Sequence, residues 1–366
     1  MAGVARQAGA RKRGFFTRQP IMLKVLAALI PCQVGAIYFF GWRTLALLAW
    51  VTMAGVLTEW IAASRRGEQV STACLVTCAL FSLSLPAEIP LWMATVGIVF
   101  AILFGKEAFG GFGRNIFNPA ITGRAFIYVA FPEEMTGRFS PAFRGFPGGF
   151  AKWSLGAMSQ APEWLSPAGL ARGVDALTQA TPMAARRDFG YMTPIVDLFT
   201  GRIGGVFESG GNKAVLAAGS VGEVSALLII IGGLYLVATK SANWRIIVSV
   251  LTGAVACNAL LRALSGQSAV PPIPFTLFSG ALLYGAFFMA TDPVSAPKNK
   301  KAMYIYGLLI GALVVFFRAR SIFAGGMAFA ILMGNMAAPT LDMMMKGLEA
   351  RRRQAAKPAS RAAGPG

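Results

Sequence analysis

Apolar runs long enough to cross a lipid bilayer recur from Ile21 almost to the C-terminus, and they leave few architectures open to this chain. A spanning helix needs about 20 consecutive, mostly apolar residues. Ten segments answer to that description: 21–40, 43–63, 71–86, 90–106, 118–132, 221–239, 245–264, 274–291, 302–317 and 322–343. The third and fifth are short, which suits tilted, broken or re-entrant segments. With 55% of the residues hydrophobic and only 13% charged, a soluble domain of this length could not bury its apolar surface. The expected fold is an all-α polytopic membrane protein, with about ten transmembrane helices and one long extracytoplasmic loop.

The formal charge of +19 does not point to nucleic acid, because the Lys and Arg residues sit between apolar runs rather than on one basic face. Their distribution is a topology signal. A basic arm over residues 1–20 precedes the first run, which continues past Phe39 without a small-residue cleavage site and reads as a retained helix. Arg65, Arg66, Lys106, Arg114, Lys240, Arg245, Lys298, Lys300 and Lys301 then fall in alternate connections, and a basic tail fills 344–366. An even number of spans puts both termini in the cytoplasm and the connection 133–220 outside, between helices 1–5 (21–132) and helices 6–10 (221–343). Arg318 and Arg320 run against this pattern. The aromatic, Gly- and Pro-rich connection reads as a packed extramembrane cap. Localisation is expected in a bacterial inner membrane, with the bilayer as partner and no nucleic acid.

Without a single histidine, ordinary catalytic triads and histidine-based metal sites are excluded, and no phosphate loop or dinucleotide fingerprint is present. Redox chemistry would need a bound cofactor. In Gly105–Arg124, three glycines precede Asn115, Asn118 and Thr122, polar groups at helical spacing beside a span. That pattern fits either a capped turn before Pro119 or a ligand site. Asp175-Ala-Leu-Thr-Gln-Ala-Thr-Pro182 alone reads as a polar turn. Asp292 precedes a proline at a helix end, which suits a turn, though an acid there can also line an ion or cofactor path. Glu59 and Asp342 lie in or near apolar runs, where a lipid-facing carboxylate costs at least a few kcal/mol; they are either paired structurally or handle ions.

Taken in order, Gly113-Arg-Asn-Ile-Phe-Asn-Pro-Ala-Ile-Thr-Gly-Arg-Ala-Phe126, Gly222-Glu-Val-Ser225 and Phe288-Met-Ala-Thr-Asp-Pro-Val-Ser295 resemble a known family. It is the NqrB/RnfD family, which contains the NqrB protein of the sodium-pumping NADH:quinone oxidoreductase and the RnfD protein of the Rnf complex. The resemblance implies FMN esterified through its phosphate to Thr181, within a motif completed by Asp175 and Thr178, and attached by a flavin transferase. It also implies a noncovalent riboflavin near Asn115 and Asn118, a quinone or inhibitor region near Gly55, and sodium-uptake acids at Glu59 and Asp342. The implied function is a membrane component of a redox-driven Na+ or H+ pump that passes electrons from FMN through riboflavin toward quinone. Its implied partners are a second flavin protein and an NADH- or ferredoxin-oxidising protein of the same complex, since no NADH site is present. Gly113-Arg-Asn and Thr122–Phe126 look like the quinone reductase, the branch preferred. Gln179–Pro182 and the short N-terminal arm look like the Rnf branch, the alternative. A flavin-free secondary transporter is the rival from another class.

Overall fold

The computed structural model describes residues 15–137, 139–154, 179–209, 212–266, 270–320 and 326–355. Helices dominate, and each of the ten apolar segments contains helical structure. In the first half these are α1 (Pro20–Phe40), α2 (Arg43–Ser64), α3 (Thr72–Leu83), α4 (Leu91–Gly105) and α5 (Pro119–Ala130), with the short α6 (Pro132–Gly137) after them. Two two-residue strands, β1 (Phe16–Thr17) and β2 (Val70–Ser71), pair in parallel beneath α1 and α3. Pro20 and Pro119 stand at the first position of their helices, where the missing N–H costs nothing and the ring pre-sets φ.

The long connection contributes β3 (Gln179–Ala180), α7 (Pro182–Phe189), α8 (Ile195–Thr200), β4 (Val206–Ser209) and β5 (Asn212–Leu216). Its strands form one small sheet in the order β3-β5-β4, parallel between β3 and β5 and antiparallel in the hairpin. The rings of Tyr191 and Phe207 stack at 4.5 Å over this sheet, giving the connection an apolar centre of its own. Backbone bonds from Trp42 and Arg43 to the carbonyls of Lys152 and Trp153 (3.2 and 2.9 Å) tie it to the α1–α2 turn. That end of the bundle is called the loop end below.

The second half contains α9 (Ala226–Ala238), α10 (Trp244–Ser265), α11 (Ile273–Phe278), α12 (Leu282–Tyr284), α13 (Lys300–Arg320) and α14 (Gly326–Ala355), with a π-turn over Gly285–Met289 after α12. The segment expected as one helix over 274–291 is therefore broken. Ser279 and Gly280, the latter at φ +62°, interrupt it after α11, and the amide of Ala290 reaches back five residues to the carbonyl of Gly285. α9 begins only at Ala226, because residues 221–222 run across the end of α3, their amides donating to Leu85 O and Leu83 O (3.0 and 2.6 Å). α14 continues beyond the apolar run into the basic tail.

Six helices among the described residues are long and apolar enough to cross a membrane: α1, α2, α4 with its following turn, α10, α13 and α14. Small residues set their closest approach. α10 and α13 meet through Ser249 and Gly253 against Gly307 and Gly311, where a Cβ on Gly311 would strike the backbone of Val250. Close backbone approach through small residues is how helices associate where lipid removes the hydrophobic drive. Outward faces carry exposed Leu23, Ile30, Val34, Met53, Leu57, Ile231 and Leu234, an apolar exterior expected only of a protein surrounded by acyl chains.

Candidate functional site

Thr181 stands at the junction between β3 and α7. Its backbone has the extended conformation of a helix cap (φ −64°, ψ 160°), its Oγ accepts the Ala184 N–H at 3.4 Å, and Pro182 begins the helix. On the other side, Ala180 O accepts from the amide of Ala217 at 2.9 Å, so sheet and helix together fix the threonine. Asp175 and Thr178, expected to complete its motif, lie outside the described residues.

Half-buried Thr181 is on the wall of a chamber of about 400 Å³ at the loop end. The opposite walls come from distant parts of the chain: Arg124 of α5, Glu223, Phe278 and Gly280, and Arg318 of α13. α7 docks there through Met183, whose sulfur accepts the Ser279 hydroxyl at 3.0 Å. Arg187 and Asp188 line the rim as a close ion pair (2.6 Å), and the bond to Asp188 raises the guanidinium pKa further. Arg124 donates through both terminal nitrogens to Ser220 Oγ at 3.1 Å, while Glu223 Oε1 accepts the Ser220 N–H at 2.8 Å. Three arginines against two carboxylates leave the lining more positive than negative.

A flavin phosphate fits these residues. The volume lies within the few hundred Å³ or more of ordinary ligand sites. The Thr181 hydroxyl is on the wall at the N-terminus of α7, and Arg318 lines the same chamber with a buried Nε that makes no hydrogen bond among the described residues. Neither Arg124 nor Arg318 was singled out from the sequence as a site residue. The available signals were an arginine inside the apolar run of α5 and a charge at 318 that breaks the topology pattern.

The Asn115 and Asn118 region lies deeper, toward the end of the bundle opposite the long connection. Asn118 caps α5, its Oδ1 accepting from the amides of Ala120 and Ile121 at 3.0 and 3.3 Å. Its Nδ2 donates to Met289 O (3.3 Å) in the π-turn, and its own amide donates to Asn335 Oδ1 at 3.1 Å. Asn335 in turn donates to Tyr306 Oη at 2.9 Å and Ser295 O at 3.4 Å. Asn115 Nδ2 donates to Phe117 O (2.9 Å), and Thr122 Oγ bonds back to Asn118 O (2.9 Å). The cleft lined by Asn115, Asn118 and Asp292 measures about 50 Å³. That is far below the few hundred Å³ of a site for a ring-sized ligand, so these residues, as arranged, do not make room for riboflavin.

The acids expected on an ion path have partners. Glu59 is buried at 2% exposure, accepting from Lys106 Nζ at 2.5 Å and the Ser71 amide at 2.8 Å, while Lys106 also donates to Ser71 Oγ at 2.6 Å. Of the two readings open for Glu59, the structure displays the pair. Asp342 receives the amides of Lys298 and Asn299, both at 2.9 Å, just before α13 begins. Asp292 closes its own turn, accepting from Val294 N (3.2 Å) and Ser295 Oγ (2.9 Å). Gly55 is buried between α2, α3 and α4, where a Cβ would meet Cys78 and Ile98. A separate apolar groove on the exterior is lined by Phe16, Met53, Val56, Leu57 and Trp60.

A multispan helical bundle with a threonine-bearing, positively lined chamber under a folded connection defines the class: an all-α polytopic membrane protein. The sequence pattern of the NQR2, RnfD, RnfE family matches residues 13–349, and the chain belongs to that family. It is 35% identical over 325 residues to the B subunit of the Na(+)-translocating NADH-quinone reductase of Pseudoalteromonas atlantica, covering 88% of this chain and 70% of that protein. It is equally 35% identical, over 353 residues, to the D subunit of the ion-translocating oxidoreductase complex of Aeromonas hydrophila, covering 90% and 93%. The D subunit of the same complex in Yersinia enterocolitica is 34% identical, covering 88% and 91%.

Proposed function

We propose that this chain is a membrane subunit of an ion-translocating oxidoreductase complex, and that Thr181 carries FMN through a phosphoester bond. The observation that carries the reading is the Thr181 hydroxyl, held between sheet and helix on the wall of a 400 Å³ chamber whose charge is net positive. The names of the relatives support the complex and its ion coupling, with Na+ or H+ as the ion and a quinone as the electron acceptor in the preferred branch.

The residues present divide the work. Thr181 Oγ supplies the attachment point at the N-terminus of α7, the end of a helix that favours negative charge. Phe278, Tyr128 and Met327 provide apolar walls against a ring, and the folded connection limits water. When bound, FMN supplies the electron-transfer chemistry that no side chain here can perform. The tether keeps the cofactor beside whatever partner protein meets the loop end.

The test is covalent flavin itself. Protein produced together with a flavin transferase should show an in-gel flavin fluorescence band after denaturation, and the peptide spanning Ala176 to Arg186 should gain the FMN mass. Thr181→Val should abolish both while the protein still inserts. An unmodified peptide in the wild type would remove the Thr181 assignment and leave only the coarser reading of a membrane subunit of such a complex.

A further inference from the structure

Two arginines face the Thr181 chamber with no carboxylate at salt-bridge distance among the described residues. Arg124 lies inside α5 and Arg318 near the end of α13, both in apolar helices, and neither forms an ion pair among the described residues. Arg124 has only the Ser220 hydroxyl among those residues. Arg318 donates through Nη1 to Thr276 O at 2.9 Å, and its buried Nε makes no hydrogen bond among them. Of the other charged groups on these walls, Arg187 pairs with Asp188, and Glu223 accepts the Ser220 amide and keeps its negative charge, so two arginines face one unpaired carboxylate there.

The Arg318 guanidinium also lies close to the attachment point. A Cβ built on Gly280 would be 3.0 Å from Arg318 Nη2 and 3.8 Å from Met183 Cγ, which places the guanidinium beside the first turn of the helix that Thr181 caps. Charges in apolar spans are costly, and they face a partner, water or a functional path. A fixed positive charge partly removed from water acts more strongly on a charge that appears nearby than one in bulk water does.

We infer that Arg318, assisted by Arg124, sets the reduction potential of the flavin on Thr181; the inference rests on the flavin reading given above. The step is the addition of one electron from a one-electron donor on a partner protein of the complex. No bond breaks and no proton is taken up, so the ring gains a full negative charge. The two guanidiniums stabilise that charge and raise the potential. They are positioning residues: they hold charge and do not exchange electrons.

The experiment is a potentiometric titration of the assembled complex with dithionite and mediators, followed by absorbance. The spectrum of the Thr181→Val complex is subtracted to isolate this flavin. Arg318→Gln should retain covalent flavin while its one-electron equilibrium constant falls about tenfold, a drop of about 59 mV in midpoint potential. Arg124→Gln should shift it in the same direction, Arg318→Lys should restore most of the wild-type value, and exposed Arg320→Gln should leave it unchanged. Wild-type potential in the Gln variants that assemble would overturn the inference, as would an equal shift in Arg320→Gln. Should Arg318→Gln fail to assemble, Arg124→Gln carries the same decision. Absence of covalent flavin in the wild type would show before any titration, and would overturn the Thr181 reading together with this one.

Discussion

Buried charge separates the residues whose roles can be read locally from those that cannot. Glu59 was legible as an acid in an apolar run, but its partner Lys106 stands on the far side of α3 and α4 in sequence and meets it only through folding. Removing one member of such a pair leaves the other uncompensated and costs about 3–5 kcal/mol. Lys106→Met should therefore lower the unfolding midpoint in detergent sharply, and Glu59→Gln in the same chain should recover part of the loss. If Glu59 serves only as the partner of Lys106, the sodium concentration for half-maximal turnover should stay at the wild-type value in Glu59→Gln; a clear rise would place this acid on the ion path. Thr181 shows the complementary case. Its neighbours alone spell a polar turn, whereas the described residues place Thr181 between a strand and the helix it caps, and in the sequence only resemblance connects it with a flavin.

Hydropathy is a local property, so the helices were largely legible. Spans expected at 43–63 and 245–264 appear as Arg43–Ser64 and Trp244–Ser265. The expected span at 274–291 failed as a continuous helix because Ser279 and Gly280 interrupt it, and periodicity does not register the π-turn that follows, where Met289 O accepts from Asn118 Nδ2. Nor does it register which helices touch. The contact between α10 and α13 rests on small residues that hydropathy scores as ordinary. Gly311→Leu should push these helices apart, with a cost of about 1–3 kcal/mol typical of overpacking. Thermal denaturation in detergent would measure it, and Leu308→Ala, on the same helix but with a partly exposed side chain, should cost less.

At the scale of the whole molecule, the first and second halves of the sequence are locked together at two levels. Near the loop end Arg124 reaches Ser220, and deeper down Asn118 reaches Met289 and Asn335. Of the three stretches that carried the family resemblance, the first and third are thus bonded directly, and the second is reached through Ser220, whose amide donates to Glu223, a relation no linear reading displays. The charge pattern predicts that Lys152 and Lys357 are on opposite sides of the membrane. Reporter fusions at these two positions should give opposite signals, with Lys357 cytoplasmic; the same signal from both would break the even-span arrangement.

The chamber wall made by Arg318 belongs to α13, whereas Thr181 belongs to the connection before α9. Synthesis runs from the N-terminus, so a growing chain displays its threonine well before the residues that will enclose it exist. On the proposed flavin attachment, the hydroxyl is most accessible to a modifying enzyme during that interval, before α13 adds its part of the wall. Maturation would then be governed by order of emergence rather than by any later opening of the finished bundle. In a pulse of newly made protein, flavin fluorescence should appear before protease resistance of the connection; attachment only after resistance is complete would show that the finished chamber admits the enzyme.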